Sequence, residues 1–516
     1  MPAITVKPSS SLVVHQYFRH GPSVVSSVIR LCSCFGLGGA RQILIVVALV
    51  VLAVSAGVQA QTLNVRIAVT STTPARIRIN AEFPNSTDVI SFPNAYAGVL
   101  GLAERIENLE SGALSGQVVS MRKLGPGEFQ TSEKFNQISY DVNLNEPMPP
   151  AQASHVSWLN SERGLLMLSD LLPRSIKGPG AFSSVKVQFE LPVAWTAASN
   201  SEKQTSLAYF TQEPDKAVFL VGSQLQERSQ RIGARDFSVV LAGEWPITNK
   251  EALKIAGKIF QEYSKLTGFE LKRNAVLMLL PFPGEVGPER WTAETRGNAV
   301  VVLLGARGNA KRVKSRLGIV LAHEVFHLWV PNSLSLAGDY DWFFEGFTVY
   351  QALRMDLRLH LISFSDYLDT LGRVYDSYLS SSARENLSLI QASERRWTTS
   401  SSLVYDKAML VAFLYDLQLR TGSSCKASLA DLYRQLFQRA SARQADANET
   451  IIEVLNEQLG QPSFARQYIQ GLEILNLEST LTPYGISVTQ TGAGTKLSAG
   501  HADKAQKKLL NCLARD

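Results

Sequence analysis

Two histidines and the glutamate beside them are the residues in this chain best placed to do chemistry. His323 and His327 enclose the pattern His-Glu-x-x-His, in which Glu324 follows the first histidine. Residues four apart on a helix lie on one face, so the two imidazoles could bind one Zn²⁺. Glu324 would stand next to them, able to take a proton from water at the metal. The surrounding apolar residues predict a buried helix, and Pro331 predicts its end.

A third ligand is expected at Glu345, in the stretch Trp342-Phe343-Phe344-Glu345-Gly346-Phe347. The seventeen residues between His327 and Glu345 leave room for a loop and a second helix that runs back past the metal. The aromatic neighbours of Glu345 favour burial, and a buried carboxylate needs a positive partner. The sequence therefore predicts one Zn²⁺ held by His323, His327 and Glu345, with a fourth position open to water.

These ligands predict hydrolysis of a carbonyl compound, with zinc acidifying its water and Glu324 acting as general base. The oxyanion that forms needs a hydrogen-bond donor besides the metal. Five tyrosines downstream of the motif could supply it, and their spacing alone does not choose among them: Tyr350, Tyr375, Tyr378, Tyr405 and Tyr415.

The elements that must position this site fall into two parts. Residues 62–245 alternate apolar and polar side chains in short runs between turn-rich stretches, which predicts a sandwich-like β domain interrupted by one helix near 97–109. This part shows no catalytic constellation, and His155 is interpreted as a surface or structural histidine. Downstream, Thr248 and Glu251 form a capping box for a helix that ends at Gly268.

Two strands near 275–280 and 299–304 follow, with a Gly/Pro-rich loop at 281–297 between them, and the pattern from 339 to about 475 is mainly helical. The predicted fold class is α+β, a β-rich N-terminal domain followed by a mainly helical zinc peptidase domain. The predicted division is a leader at 1–60, the β domain at 61–245, the catalytic domain at 246–480 and a tail at 481–516. The tail is interpreted as an edge segment and a short, basic, loose helix.

The N-terminal segment resembles a secretory signal. Residues 43–56 carry no charge, follow Arg41 and precede the small-x-small pattern Val58-Gln59-Ala60, which predicts a secreted or periplasmic protein. An uncleaved membrane anchor is the alternative. The net charge is +6, four of the basic residues lie before residue 61, and no basic block with interleaved aromatics indicates nucleic-acid binding. Beyond the leader only Cys425 and Cys512 remain, as a disulfide or as free thiols.

Several stretches resemble one known family. His323-Glu324-Val325-Phe326-His327-Leu328-Trp329, with Glu345-Gly346-Phe347-Thr348 downstream, is similar to the gluzincin aminopeptidases, and most similar to the glycyl aminopeptidase family. The stretch 187–195 resembles a strand of that family's N-terminal domain, and Tyr405-Asp406-Lys407-Ala408 resembles its Tyr-x-Lys-Gly motif. The resemblance extends over roughly residues 63–482.

The resemblance implies a thermolysin-like catalytic domain, Tyr405 as the oxyanion donor, and a zinc aminopeptidase that removes small residues such as Gly or Ala from peptides. That family usually carries Gly-Gly-Leu-Glu-His before the zinc helix, and the corresponding stretch here, 291–296, lacks the glycines. Glu294 in this stretch is the candidate for binding the substrate amine, with Glu289 as a competitor. Many members carry a C-terminal PDZ domain, for which the 34 residues after Thr482 are too few.

Two other functions stay open at this point. One is a zinc endopeptidase, which would need no carboxylate for a substrate amine. The other is a non-catalytic binding protein with a structural zinc, which would need no general base at Glu324. The expected partner is a peptide substrate, with no nucleic acid, and with membrane contact only if the leader is uncleaved. The oligomeric state is left open.

Overall fold

Strands dominate the chain up to residue 241, and helices dominate after residue 308. The computed structural model describes residues 61–113, 118–174, 178, 180–305, 309–396, 400–439, 445–492, 494–500 and 502–515. Gln61–Asp516 forms one compact unit. The predicted leader at 1–60 lies outside the described residues. Among the described helices, none combines the length and the apolar character that a membrane span requires.

A nine-stranded sheet and a four-stranded sheet form the N-terminal β domain. The larger sheet has the order β13-β14-β11-β1-β2-β8-β5-β6, with β7 paired to β8. Its strands are β1 Thr62–Thr72, β2 Ala75–Ser91, β5 Ile106–Ala113, β6 Val118–Val119, β7 Arg122–Gly125, β8 Glu128–Asn143, β11 Ser184–Glu190, β13 Glu202–Lys203 and β14 Ala208–Thr211. The smaller sheet has the order β12-β15-β10-β9, from β9 Trp158–Leu159, β10 Arg163–Met167, β12 Trp195–Ser199 and β15 Val218–Ser223.

The prediction of a helix at 97–109 is wrong. This stretch contains a small hairpin of β3 Ala95–Tyr96 and β4 Val99–Leu100, a 3₁₀ turn at Leu102–Arg105, and the start of β5. Gly101 has φ 75° and Asn108 has φ 50°, and both values are incompatible with an α-helix. The Arg105 side chain instead reaches across the domain to the Asp170 carboxylate at 2.9 Å. Tertiary contacts therefore override the apolar spacing that indicated a helix.

A third sheet carries the catalytic half. It has five strands in the order β16-β17-β18-β20-β19, which are β16 Gln226–Ile232, β17 Arg235–Leu241, β18 Ala275–Pro281, β19 Trp291–Arg296 and β20 Ala299–Leu304. The predicted boundary at 245 would assign β16 and β17 to the N-terminal domain, whereas β17 pairs in parallel with β18. The stretch predicted as a loop at 281–297 contains β19, the edge strand that pairs antiparallel with β20.

The three sheets are stacked as layers, with a hydrophobic core in each gap. Side chains of successive strand residues point to opposite faces. One face of β10 and β15 packs on the nine-stranded sheet through Leu166 and Phe219. The opposite face packs on the five-stranded sheet, where Leu220 shares a core with Val276 and Met278. The far face of the five-stranded sheet packs against the helices.

The helices follow the predicted pattern. The regular ones are α1 Leu168–Leu171, α2 Asn249–Thr267, α3 Ala310–Glu324, α4 Thr348–Arg358, α5 Phe364–Ser380, α6 Leu389–Glu394, α7 Ala408–Gly422, α8 Leu429–Arg439, α9 Ala447–Leu459, α10 Ser463–Ala465, α11 Leu477–Leu481 and α12 Lys504–Arg515. Thr248 and Glu251 form the predicted capping box of α2, and Gly268 ends that helix in the left-handed conformation.

The C-terminal tail is part of the helical body. Its hairpin, β21 Ile486–Thr491 and β22 Gly494–Ala499, is held to α5 because the Asp376 carboxylate accepts hydrogen bonds from the backbone and side chain of Thr495. Helix α12 buries Leu509, Leu510 and Leu513, and Cys512 on this helix forms a disulfide with Cys425. The prediction of a loose tail helix is therefore wrong, and the pairing left open by the sequence is a disulfide.

One buried carboxyl makes stability depend on pH. Asp356 on α4 is 4% exposed, and burial raises its pKa to about 8. The unfolded chain ionises such a group near pH 4, so the free energy of unfolding falls between about pH 4 and pH 8, by at most about 1.4 kcal/mol per pH unit. Asp356→Asn removes this titration. We expect the melting temperature of the variant to exceed that of the wild type by a margin that grows from pH 5 to pH 8. Equal margins at both pH values would contradict this.

Candidate active site

Three predicted metal ligands meet in one cluster. The Nε2 atoms of His323 and His327 lie 3.0 Å apart. The Glu345 Oε2 atom lies 3.5 Å from the first of these nitrogens and 3.6 Å from the second. Four ligands in a tetrahedron at zinc-ligand distances of 2.0–2.1 Å are roughly 3.3 Å from one another. The three atoms therefore form a triangle of the size that a zinc ion requires, and two imidazoles with a carboxylate are a donor set that zinc accepts.

The C-terminal end of α3 positions His327. Helix α3 is regular up to Glu324 and then tightens into a 3₁₀ turn at Phe326–Leu328, which contains His327. The Nδ1 atom of His327 lies 2.8 Å from the carbonyl oxygen of Val330, so this nitrogen carries the proton and Nε2 is left free to bind a metal. Phe326 and Trp329 anchor the turn in an aromatic core around Tyr263.

Two π-helical turns place the third ligand beside the candidate oxyanion donor. Glu345 lies in the turn Trp342–Phe347, and Tyr405 lies in the turn Leu403–Lys407. The turns touch at Gly346, where an added Cβ would lie 2.3 Å from the Cβ of Ala408 and 2.7 Å from the Val404 carbonyl oxygen. Because only glycine permits this approach, Gly346 sets the spacing of Glu345 and Tyr405. Such π-helical insertions occur frequently at functional sites.

Arg396 links the metal cluster to Tyr405. Its Nη2 atom donates to Glu345 Oε1 at 2.8 Å and to the Tyr405 hydroxyl oxygen at 2.6 Å, while Nη1 donates to Asp341 Oδ1 at 2.6 Å. The guanidinium thus binds Glu345 Oε1, the carboxylate oxygen that faces away from the two histidines. No sequence motif distinguishes Arg396, which follows the short helix α6 next to another arginine and was not among the predicted site residues.

The charges of the cluster suit a metal ion. Burial alone would raise the pKa of Glu345, but both histidines lower it, and the net result lies well below the usual value. Burial lowers the pKa of His327, whereas Glu345 raises it, to about 9 without metal. The carboxylate therefore stays ionised, and a positive charge is favoured among the three ligands. A divalent cation would supply that charge without the proton.

Glu324 lies on α3 between the ligands, 6% exposed. Its Oε2 atom accepts a hydrogen bond of 2.8 Å from the Thr295 hydroxyl, which also donates to the Glu324 carbonyl oxygen at 2.7 Å. The edge strand β19 thus holds the candidate general base in one orientation. Thr295 was not singled out in the sequence, although its position next to Glu294 in a strand would place it on the opposite face.

Glu294 belongs to a second cluster that spans the two halves of the molecule. Its carboxylate accepts hydrogen bonds from the Tyr96 hydroxyl at 2.6 Å and from Arg296 Nε at 2.9 Å, and it lies 2.5 Å from His155 Nδ1. Tyr96 and His155 come from the β domain, and His155, interpreted from the sequence as a surface or structural histidine, is partly exposed and contacts Glu294. Burial alone would raise the pKa of Glu294, but Arg296 and His155 lower it. Thr295 follows Glu294 in the chain and contacts Glu324, so this cluster is next to the candidate general base.

The competing candidates lie elsewhere. Glu289 has a side chain that is 65% exposed and pairs with Arg312 and Arg316 on α3, which makes it a surface ion pair. The Tyr350 hydroxyl donates to Asp416, the Tyr375 hydroxyl donates to the Leu475 carbonyl oxygen, and the Tyr415 hydroxyl donates to Gln458. The Tyr378 hydroxyl accepts from the Leu475 backbone. Of the five candidate tyrosines, Tyr405 is the one joined to the metal cluster by a shared partner in the described part of the chain.

Comparisons with known proteins give a family match for the site and a similar fold for the chain. Residues 317–411, which contain the three candidate ligands, Glu324, Arg396 and Tyr405, match the family model of M61 glycyl aminopeptidase. An aminopeptidase N family protein from Idiomarina loihiensis has a similar structure, with a TM-score of 0.71 and 17% identity over 83% of this chain and 79% of that chain. An M1 zinc metallopeptidase variant from Deinococcus radiodurans, bound to a Tyr-Ser-Ala substrate, gives a TM-score of 0.49 and 14% identity over 81% and 95%. No curated protein matches the chain. The predicted family resemblance and fold class are confirmed.

Proposed function

We propose that this gluzincin aminopeptidase-like zinc metallopeptidase removes small N-terminal residues from peptides outside the cytoplasm, with one zinc ion at His323, His327 and Glu345. The observation that carries the proposal is the triangle of ligand atoms with Glu324 held beside it by Thr295. A structural zinc site needs no carboxylate held in a fixed orientation next to its ligands.

The residues divide the reaction among them. Bound zinc would supply a Lewis acid that acidifies water and polarises the scissile carbonyl. Glu324 takes the proton of the attacking water and passes it to the leaving amine. The Tyr405 hydroxyl donates to the oxyanion, and burial together with the negative charge of Glu345 raises its pKa, so that it remains a donor throughout the neutral range. Arg396 orients this hydroxyl.

Glu294 is the residue proposed to bind the α-ammonium of the substrate. Its Oε1 atom already accepts from Tyr96 and Arg296, whereas Oε2 has His155 as its described partner. A carboxylate offers about four acceptor positions, which leaves room at Oε2 for an ammonium. The existing contacts of Glu294 also favour the alternative, a zinc endopeptidase in which this cluster only joins the two halves.

A substrate panel tests the proposal. Purified protein should hydrolyse Gly and Ala amides with a free amine faster than a Leu amide, and it should lose this activity in a chelator and regain it with added zinc. The same amides with a blocked amine should be poor substrates. Faster cleavage of blocked peptides at internal bonds would instead identify an endopeptidase.

Glu294→Gln separates the two enzymes more sharply than Glu294→Ala, because glutamine keeps an oxygen that can accept from the buried Arg296 guanidinium, whereas alanine would leave it without an acceptor. For an aminopeptidase, we expect kcat/KM on free-amine substrates to fall roughly 10- to 100-fold, the contribution of a charged hydrogen bond. Cleavage of N-blocked substrates should be unchanged. The matched control is Glu289→Gln, an exposed carboxylate on the preceding loop. Equal losses on both substrate types would remove Glu294 from amine binding.

A further inference from the structure

A small cavity among four helices has more basic than acidic side chains in its lining. It encloses about 120 Å³ between α2, α4, α7 and α8. Five basic side chains line it and only one acidic side chain does; the basic ones are Lys265, Arg354, Arg358, Arg420 and Arg434. None of these residues belongs to the metal cluster or to the Glu294 cluster.

The one acidic residue of the cavity is already neutralised. Asp416 Oδ2 accepts hydrogen bonds from Arg420 Nε at 2.9 Å and from the Tyr350 hydroxyl at 2.8 Å. Its Oδ1 atom accepts from the backbone N–H of Leu429, at the start of α8. In the described chain, Asp416 thus forms its ion pair with Arg420.

Acidic residues outside the cavity offset three of the remaining cations. Glu262 pairs with Lys265 at 2.9 Å and with Arg358 at 3.0 Å. Arg434 pairs with Asp431 at 2.6 Å. These pairs are partly exposed, so solvent screens them and weakens their mutual attraction.

Arg354 is the cation without a counter-charge. It is 4% exposed, and its Nη1 atom donates to the carbonyl oxygen of Leu513 on α12. Its Nη2 atom is buried and has no hydrogen-bond partner among the described residues, and none of the ion pairs of the described chain includes Arg354. A buried guanidinium nitrogen without an acceptor is costly, which indicates that the cavity holds an acceptor when the protein is in solution.

We propose that this cavity binds a small tetrahedral oxyanion of the phosphate and sulfate class. The space is several times the roughly 30 Å³ that a water molecule takes in the liquid, enough for an ion of five non-hydrogen atoms. The cations reach it from four helices, and a tetrahedral ion offers oxygens in as many directions, whereas a carboxylate offers two in one plane. The N-terminal end of α8 adds a favourable dipole.

The ion would also fasten the C-terminal helix. Arg354 joins the cavity to α12 through Leu513, and Arg420 Nη1 donates to the sulfur of Cys512, one member of the disulfide. An anion that holds these two arginines in place stabilises the contact between α12 and the helical body. The expected readout is therefore thermal stability, with no requirement for an effect on peptide hydrolysis.

The test is thermal unfolding of the full chain in 5 mM phosphate, sulfate, acetate or chloride at matched ionic strength. We expect phosphate and sulfate to raise the melting temperature by roughly 2–4 °C over chloride, and acetate to give no such rise. Arg354→Gln should abolish the difference between phosphate and chloride. Arg434→Gln should reduce this difference. Because Arg434 is partly exposed, this variant serves as the test if the Arg354 variant fails to fold.

Arg373→Gln is the matched control, since Arg373 is an exposed cation on α5 that donates to Thr370 and lies away from the cavity. It should keep the full phosphate effect. Glycerol phosphate shows whether the bound phosphate group belongs to an ester or to the free ion. A larger rise in melting temperature than with phosphate identifies a phosphomonoester as the ligand, and a smaller rise identifies the free ion. The proposal is overturned if phosphate and chloride give the same melting temperature in the wild type, if acetate matches phosphate, or if both cavity variants keep the wild-type response.

Discussion

Replacing Glu324 with glutamine is expected to lower kcat by roughly 10²- to 10⁴-fold, the range for loss of a general base. Glutamine has the same shape and can still accept the hydrogen bond from Thr295 through its amide oxygen. It cannot take a proton from water. Since Glu324 contributes no atom to the triangle of ligands, zinc content should stay at the wild-type level.

The measurement is steady-state hydrolysis of a Gly amide together with metal analysis of the same preparation. Full zinc with lost turnover assigns the general base to Glu324. Turnover at the wild-type rate would contradict the mechanism and support a protein that binds zinc for structure alone. Loss of both zinc and turnover would place Glu324 among the residues that organise the ligands.

Replacing Tyr405 with phenylalanine is expected to lower kcat by roughly 10²- to 10³-fold, as removal of one oxyanion donor does. The ring keeps its packing, and Arg396 keeps its contacts with Glu345 and Asp341. KM and zinc content should therefore change little. The effect is specific to the transition state, because the hydroxyl stabilises charge that the substrate does not yet carry.

Two other tyrosines from the same set are the controls. Tyr375→Phe and Tyr415→Phe each remove a hydroxyl that donates to a structural acceptor, Leu475 in the first case and Gln458 in the second. Both should lower thermal stability and leave kcat unchanged. If Tyr405→Phe keeps wild-type kcat while one of the control variants loses it, the oxyanion donor has been assigned to the wrong tyrosine.

The metal centre could be predicted from the sequence because each ligand carries a local signal. His323 and His327 follow the helical period, and Glu345 is a lone carboxylate among aromatic side chains. The π-helical turns that bring Glu345 to Tyr405 carry no such signal. They depend on the approach of Gly346 to Ala408, which are far apart in the sequence.

The contacts between the two halves could not be predicted from the sequence for a related reason. Tyr96 on the β3–β4 hairpin and His155 just before β9 meet Glu294 where the β domain packs on the five-stranded sheet, and such packing leaves no periodic signal beyond two apolar faces. Burial on both faces explains the continuous apolar runs of β18 and β20, which indicated strands but not their neighbours. Arg396 was missed because its partners come from two separate segments, one with Asp341 and Glu345 and the other with Tyr405.

The stacked sheets have a consequence for making the protein in pieces. The face of β18 formed by Val276, Met278 and Leu280 is covered by the β domain through a continuous hydrophobic core. A truncated chain that begins after residue 245 would lack β16 and β17 and would present this face to water as a large apolar patch, which promotes aggregation. We therefore expect soluble expression of the peptidase half to require the β domain that covers this face.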